Sequence, residues 1–268
     1  MQSQNRKIAV VSLSGGMDSS CLLIHLLANR YEVHGVSFDY GQKHRVELER
    51  LKENLEYLKS QGYALDSYNV LDISQIGKLF HSSLIEGGEK IPEGHYEEEN
   101  MKSTVVPNRN MIFASIIQGY ALSIALREKN PVVVALGVHS GDHTIYPDCT
   151  PEFYKAQMQA FALGNWDSQM VSYYLPYMDS NKTGILKDCL NNSKWLDLDF
   201  DTILKNTNTS YNPDKQGRSS GTSGSDIERI EAFINLGLED PVPYVNEWTW
   251  TKANALKILN QSNEKNNF

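Results

Sequence analysis

The chain has 268 residues, of which 40% are hydrophobic and 22% are charged, and its formal net charge is −8. This length and composition predict a globular protein with one substantial core and at most a small appended lobe. The negative charge argues against a nucleic-acid-binding protein, which would need a strongly basic face, and favours a small-molecule substrate.

The sequence contains no apolar run long enough to cross a bilayer, and its first five residues, MQSQN, are polar rather than those of a signal peptide. We therefore expect a cytoplasmic protein that does not enter a membrane. Its cysteines, Cys21, Cys149 and Cys189, are widely spaced and odd in number, so they form neither a disulfide framework nor a CxxC metal motif. They are expected to be reduced thiols in packed positions.

A glycine turn joins the first apolar run, residues 8–13, to a helical pattern. The turn reads SGGMDSS from Ser14 to Ser20. Two adjacent glycines let backbone amides converge, and Asp18 or Ser19 could cap the helix, so that free N–H groups and the helix dipole face one ligand. This pattern predicts a phosphate-binding loop, with an ordinary strand-to-helix turn as the alternative. It is neither a P-loop, which needs Gly-Lys-Ser/Thr, nor a G-x-G-x-x-G fingerprint.

Apolar runs alternate with helical patterns along much of the chain. The runs that predict strands are residues 8–13, 31–38, 66–73, 131–138 and 171–177. Helical spacing predicts helices over residues 21–27, 46–58, 107–124 and 181–190. Because strands separated by helices form parallel sheets, the expected fold is α/β with a doubly wound parallel sheet. The polar run 87–103 is expected to be a surface loop or lid, and beyond residue 205 the pattern dissolves into Ser, Thr, Asn and Gly.

Polar clusters follow the predicted strands, where ligands bind in an open α/β sheet. They are DYGQKH at 39–44, PNRN at 107–110, GVHSGDHTIYPDCTPEF at 137–153 and NKT at 181–183. The alternative explanation is a charged turn for the first cluster, a helix cap for the second and a solvated lysine for the fourth, and the two histidines and three acids of the third could also suggest a metal. The third cluster lacks the spacing of a zinc helix such as H-E-x-x-H, so we expect a pocket for a polar heterocycle, with Asp148 and Glu152 accepting from its N–H groups. Arg109 and Lys182 could reach phosphate or carboxylate.

These blocks resemble those of a known enzyme family. SGGMDS resembles the pyrophosphate loop of the ATP pyrophosphatases. SLSGGMDS at 12–19, DYGQKH, PNRN, and GVHSGDH with YPDC at 137–149 together resemble the signature blocks of the 7-cyano-7-deazaguanine synthases of the queuosine and deazapurine pathway. The resemblance spans nearly the whole chain. It implies a Rossmann-like fold of the adenine nucleotide α-hydrolase type and an ATP-dependent carbon–nitrogen ligase.

In that family ATP and Mg²⁺ activate the carboxylate of 7-carboxy-7-deazaguanine, ammonia gives an amide, and a second activation dehydrates the amide to the nitrile. The resemblance implies an ATP site at Ser12, Leu13, Ser14, Gly15, Gly16, Met17, Asp18, Ser19 and Ser20. Asp18 would hold Mg²⁺, and Asp18, Arg109 and Lys182 would be catalytic by stabilising charge. The residues implied at the deazaguanine site are Tyr40, Gln42, Lys43, His44, Asn108, Arg109, Gly137, His139, Asp142, His143, Asp148 and Glu152.

The family also carries a four-cysteine zinc site in its C-terminal segment, and here the chain departs from the pattern. The corresponding positions are Ser210, Ser220, Ser223 and Asp226. Serine hydroxyls do not ionise near neutral pH, so we expect no zinc. Hydrogen bonds among these side chains, a capping box of Ser225 with Glu228, or a protein partner packed on this lobe would then hold the segment.

Residues 1–194 are expected to form an α/β domain of the ATP pyrophosphatase type, and residues 195–268 a small, irregular, helical C-terminal lobe. The resemblance implies a homodimer and a small-molecule substrate, without a nucleic-acid partner. Two other functions stay open. The activated acyl group could pass to an amine of a protein partner instead of ammonia, or the chain could be a catalytically idle scaffold that binds the ligand. The intact SGGMDS loop argues against the idle scaffold.

Overall fold

The structure, a computed structural model, describes residues 6–91, 99–139, 141 and 146–266. Its strands are β1 (Lys7–Ser12), β2 (Tyr31–Asp39), β3 (Ser67–Asp72), β4 (Val132–Ala135) and β5 (Val171–Tyr174). They form a single sheet in the order β3-β2-β1-β4-β5, and each neighbouring pair is parallel. The predicted α/β fold with a doubly wound parallel sheet is confirmed.

Helices connect and cover the strands. They are α1 (Met17–Ala28), α2 (Val46–Ser60), α3 (Ser74–Gly77), α4 (Arg109–Glu128), α5 (Pro151–Gly164), α6 (Lys182–Trp195), α7 (Phe200–Lys205), α8 (Gly224–Asn235) and α9 (Trp248–Asn266). The sequence did not predict α3 or α5, and it placed α7 and α9 only as part of the predicted helical C-terminal lobe. The signal for α5 was nevertheless present, because Thr150 caps the helix by accepting from the amide of Phe153 and Pro151 occupies its first turn.

Alternate residues of β1 pack on opposite faces of the sheet. Ala9 and Val11 belong to a buried cluster with side chains of α1, α6 and α7, whereas Ile8 and Val10 belong to a second cluster with side chains of α4 and α5. Because both faces are covered, the central strands are apolar at nearly every position instead of alternating. This layered core fixes the strand ends that carry the polar clusters.

The segment after α6 packs against the sheet domain. Leu196, Leu198, Ile203 and Leu204 belong to the same buried cluster as α1 and α6. The predicted domain boundary at residue 194 falls in the last turn of α6 and stays a prediction. The three cysteines lie in buried positions, as the sequence predicted. Across the described ranges, no helix is both long and apolar enough to cross a membrane.

Candidate active site

A cleft opens where the order of strands reverses. The chain passes from β1 to β2 on one side, whereas β4 lies on the other side of β1, so the carboxyl ends of β1 and β4 mark a topological switch point. The cleft has a volume of about 270 Å³. The predicted site residues on its wall are Ser12, Leu13, Ser14, Gly16, Met17, Asp18, Ser19, Tyr40, His44, Arg109, Gly137 and Lys182. The fold thus brings most of the predicted phosphate loop together with both predicted cations.

The glycine turn has a backbone that requires glycine. Gly15 has a φ of +90°, and a Cβ atom there would lie 2.0 Å from the backbone oxygen of Glu47. Gly16 is the N-cap of α1 and makes no side-chain capping bond, so the expected cap by Asp18 or Ser19 is wrong. Because first-turn amides have no intrahelical acceptor, α1 begins beside the cleft with N–H groups suited to an anion.

Charged side chains gather where α1 and α6 begin. Lys182 is 5% exposed, and its Nζ lies 2.6 Å from Glu228 Oε2 and 3.7 Å from Asp18 Oδ2. His139 is buried, with Nε2 3.9 Å from Asp18 Oδ2. The sequence did not identify Glu228 as a site residue, because it lies on α8, far along the chain from the strand ends, where it was expected only to cap a helix. Only the packing of α8 on α6 brings its carboxylate to Lys182.

Asp18 has the chemistry of a divalent-cation ligand. Its Oδ1 is buried and has no hydrogen-bond partner among the described residues. Mg²⁺ prefers oxygen ligands and usually takes one or two carboxylates together with substrate phosphates. Asp18, with Glu228 on the other side of Lys182, supplies such oxygens. In the part of the chain that the structure describes, no group of three or more Asp, Glu, His or Cys residues is arranged to hold a metal by itself.

The C-terminal segment forms one wall of the cleft, through Asn208, Thr209, Tyr211 and Ser225. The amide of Asn208 donates to the carbonyl oxygen of Gly15 at 2.9 Å, and the amide of Met17 donates to Thr209 Oγ1 at 3.5 Å. These bonds attach the wall directly to the glycine turn before α1. No local sequence pattern indicates these bonds, because each one joins residues that are far apart along the chain.

A buried arginine holds this wall in place. Arg229 is 1% exposed and donates to both carboxylate oxygens of Asp240, at 2.6 and 2.9 Å. It also donates to the hydroxyls of Thr207 at 2.7 Å and Thr209 at 3.1 Å. The Asp240 carboxylate accepts a further bond from Tyr244 Oη at 2.8 Å. A buried ion pair is tolerated when its remaining donors and acceptors are satisfied in this way.

An arginine and aromatic rings line the cleft beside β2. The Arg109 guanidinium lies 5.7 Å from the centre of the Tyr40 ring and donates to Tyr40 Oη at 3.3 Å. Phe113 stacks on Phe38 with ring centres 4.0 Å apart. Aromatic rings and guanidinium groups both favour stacked contacts, so this surface suits a planar heterocycle.

Glu47 is a buried carboxyl group on the cleft wall that the sequence did not identify as a site residue. Burial raises the pKa of Glu47 to about 8, although the hydrogen bond from Gln42 and the charge of Arg109 lower it. Gln42 Nε2 donates to Glu47 Oε1 at 3.1 Å, and Gln42 Oε1 accepts from the Tyr40 amide at 3.0 Å. Gln42 therefore holds the turn instead of facing the cleft. Burial, with the Arg109 charge, lowers the pKa of His44 to about 3, so that its ring is neutral.

Replacing Glu47 with glutamine is expected to flatten the pH dependence of stability. Because the folded-state pKa of about 8 lies above the ordinary value of 4.5, the folded chain keeps a proton that the unfolded chain loses between these values. Wild-type stability should therefore fall as pH rises, by about 3 kcal/mol between pH 5 and 8 from this group alone. Urea unfolding at several pH values measures the slope. The exposed Glu49→Gln change on the same helix should keep the wild-type slope, and a wild-type slope in Glu47→Gln would contradict the prediction.

Several predicted site residues are not on the cleft wall: Gly15, Ser20, Gln42, Lys43, Asn108, His139, Asp148 and Glu152. Lys43 is exposed and donates to the carbonyl oxygens of Gly88 and Glu89 at 2.9 and 2.7 Å. Asn108 is exposed at the N-cap position of α4, with a φ of +58° and no side-chain capping bond. Its expected alternative role as a helix cap is therefore wrong.

The residues expected to read N–H donors lie elsewhere. Glu152 is exposed in the first turn of α5, and Asp148 lies in the short 3₁₀ turn before that helix. Their neighbours Tyr146, Cys149 and Tyr154 contribute to the cleft instead. The predicted residues Asp142 and His143, and part of the predicted loop or lid at 87–103, lie outside the described residues.

The four positions where the resemblance implies zinc cysteines come together in space. Ser210, Ser220 and Ser223 each donate a hydroxyl hydrogen bond to Asp226 Oδ2. Ser223 is the N-cap of α8 and forms a capping box with Asp226. The expected capping box of Ser225 with Glu228 is wrong, because α8 begins two residues earlier than that pairing requires.

Comparison with known proteins identifies the family. A family model described as "Queuosine biosynthesis protein QueC" matches residues 8–237. The 7-cyano-7-deazaguanine synthase 2 of Colwellia psychrerythraea is 42% identical over 241 residues, which cover 89% of this chain and 99% of that protein. The 7-cyano-7-deazaguanine synthase of Marinomonas sp. is 42% identical over 236 residues, which cover 88% of this chain and 97% of that protein.

Among solved structures, a 4-thiouridine synthetase in complex with RNA and bound ATP aligns with a TM-score of 0.43 and 16% identity, covering 94% of this chain and 53% of that chain. The family match includes the glycine turn before α1, both Arg109 and Lys182 on the cleft wall, and the segment from Ser210 to Asp226. Both relatives are covered over nearly their full length. As the sequence motifs predicted, the chain belongs to the QueC family.

Proposed function

We propose that this protein is an ATP-dependent carbon–nitrogen ligase. It adenylates the carboxylate of 7-carboxy-7-deazaguanine and joins the acyl group to ammonia, giving the amide and then 7-cyano-7-deazaguanine. The observation that carries the proposal is a single cleft lined both by the phosphate loop and by an arginine with aromatic rings. Membership of the QueC family, and two relatives named 7-cyano-7-deazaguanine synthase, support the same reaction.

The chemistry explains why a phosphate loop is needed. A carboxylate is a poor electrophile because its leaving group would be oxide. Attack of a carboxylate oxygen on the α-phosphorus of ATP breaks the bond to the β-phosphate, releases pyrophosphate and leaves an acyl adenylate. Ammonia then attacks the acyl carbon, loses a proton and expels AMP, giving the amide. In a second cycle the amide oxygen attacks ATP, and departure of AMP with the nitrogen-bound protons leaves the nitrile.

The phosphate side of the cleft performs electrostatic tasks. The first-turn amides of α1 and the side chain of Lys182 would bind the departing pyrophosphate and neutralise its developing charge. When bound, Mg²⁺ would neutralise further phosphate charge, with Asp18 and Glu228 as its carboxylate ligands. Holding the two reactants in line is the larger contribution, since the bond changes need no protein nucleophile.

The heterocycle side of the cleft provides recognition. Arg109 and Tyr40 would stack on the deazaguanine ring or pair with its carboxylate. Of Glu47, Asp148 and Glu152, only Glu47 lies on the cleft wall, so Glu47 would accept a hydrogen bond from the heterocycle, and a bound N–H donor would favour loss of its proton. No described residue donates a hydrogen bond to Glu47 Oε2, so that oxygen is available to a ligand.

A pyrophosphate-release assay tests the proposal. With ATP, Mg²⁺ and ammonium, release should depend on 7-carboxy-7-deazaguanine, and mass spectrometry should detect the amide or the nitrile. Release without the carboxylic acid, or none with it, would contradict the assigned substrate. Acyl transfer to an added protein but not to ammonia would replace ammonia with a protein amine and keep the adenylation step. We propose in addition that the protein is a homodimer in the cytoplasm.

A further inference from the structure

A buried carboxylate lies at the centre of the loop before α8. Asp226 has no exposed surface, and its Oδ2 accepts five hydrogen bonds. Three come from the hydroxyls of Ser210, Ser220 and Ser223, at 2.9, 2.7 and 2.7 Å. Two come from the amides of Gly221 and Ser223, at 3.1 and 3.2 Å. A buried anion is tolerated when donors of this kind replace its water.

The same side chains do not suit a zinc ion. Closed structural zinc sites use thiolate, imidazole or carboxylate ligands, whose lone pairs face the metal. Three of the four groups here are hydroxyls that stay protonated near neutral pH, and each directs its proton to Asp226 Oδ2. One carboxylate remains, which is too few ligands for a closed tetrahedral site.

We propose that Asp226 takes the structural place of the metal in this chain. We call the cluster formed by Asp226, Ser210, Ser220 and Ser223 the Asp226 hub. Its charges are arranged in the opposite way to those of a metal site. A central anion is surrounded by donors, where a metal site has a central cation surrounded by anionic ligands. The hub ties residues 210–226 into one loop without any metal.

The Asp226 hub also supports the cleft wall. Ser210 immediately precedes Tyr211, which lines the cleft. The carbonyl oxygen of Ser210 accepts from Asn208 Nδ2 at 2.9 Å, and the amide of Asn208 donates to the carbonyl oxygen of Gly15 at 2.9 Å. Asp226 is therefore a positioning residue, since it acts on the phosphate loop only through the chain that it anchors.

Metal content and stability test the proposal without using activity. Elemental analysis of the purified protein should find no stoichiometric zinc, and a strong chelator should leave the Tm unchanged. Stoichiometric zinc, or a fall in Tm on chelation that zinc restores, would overturn the proposal.

Substitution of the central carboxylate is the second test. Asp226→Ala should lower the Tm by on the order of 10 °C, because buried hydroxyls and amides lose their acceptor. Asp226→Asn, which keeps one oxygen, should lower it less. Asp214→Ala is the matched control, since this carboxylate lies in the same loop but is partly exposed and bonds only within its own turn. Equal Tm values for Asp226→Ala and Asp214→Ala would contradict the hub.

Restoring four thiols tests whether the positions converge as described. The variant Ser210→Cys, Ser220→Cys, Ser223→Cys and Asp226→Cys should bind one zinc ion per chain and become sensitive to chelators. Because all four side chains meet at one atom in the present chain, thiolates there would have the proximity that a tetrahedral site needs. Failure of this variant to take up zinc would contradict the convergence, and with it the proposal.

Discussion

Arg229→Ala is expected to destabilise the protein by about 3–5 kcal/mol, because it leaves the buried carboxylate of Asp240 without its cation. The variant also removes the guanidinium that donates hydrogen bonds to the hydroxyls of both Thr207 and Thr209. In a chain of this size such a loss lowers the Tm by on the order of 10 °C. Thermal unfolding followed by circular dichroism measures it.

The expected consequence reaches the cleft as well as the fold. Arg229 holds Thr209, and the hydroxyl of Thr209 accepts a hydrogen bond from the amide of Met17 at the start of α1. The loss of Arg229 should therefore reduce the rate of pyrophosphate release even well below the Tm. The control is Arg218→Ala, which breaks an ion pair with Asp214 in which both side chains are partly exposed to solvent. Exposed pairs are screened by water, so this change should have little effect. Similar Tm values for the two variants would show that burial of the pair is unimportant.

Lys182→Ala is expected to reduce the kcat/KM for pyrophosphate release by about 10²- to 10³-fold, because it removes a fixed cation aimed at the phosphate end of the cleft. The lysine is held between Glu228 and Asp18, so its charge is already oriented before ATP binds. Its loss also leaves two neighbouring carboxylates that repel the phosphates of ATP. Steady-state kinetics with varied ATP should show an increased KM and a reduced kcat.

Lys187→Ala is the matched control, since Lys187 lies on the same helix but is exposed. It should leave the kinetics unchanged. If the Lys182→Ala variant has a Tm close to that of the wild type, its kinetic effect is on the site and not on the fold. Unchanged kinetics in the Lys182→Ala variant would remove this lysine from the proposed mechanism.

The differences between the predicted and the observed residues of the cleft wall share one physical cause. Asp148 and Glu152 follow a strand in sequence and were expected to face the ligand, but the chain turns into α5 at Pro151 and carries Glu152 outward. Glu47 occupies the cleft wall because α2 packs its first turn against Gly15, where only the absence of a Cβ atom permits the contact. Which side of a helix faces a cleft depends on its packing, which local spacing does not encode.

The four positions Ser210, Ser220, Ser223 and Asp226 show more clearly which features follow from residue type and which depend on packing. The sequence established that thiolates were absent, which is a matter of residue type alone. It did not establish what replaced them, since the expected capping box paired Ser225 with Glu228. In the structure Asp226 accepts hydrogen bonds from the serine hydroxyls, and Glu228 forms an ion pair with Lys182 on α6. One turn of α8 therefore serves both the fold and the cleft.

The sequence by itself determined the sheet, the glycine turn before α1 and the family, because strand periodicity, adjacent glycines and motif order are local properties of the chain. Only the tertiary structure decided that Glu228, Arg229, Glu47 and the wall around Thr209 belong to the site. These residues act through contacts across much of the chain, and such contacts form only when the apolar faces of α1, α6 and α8 are buried together.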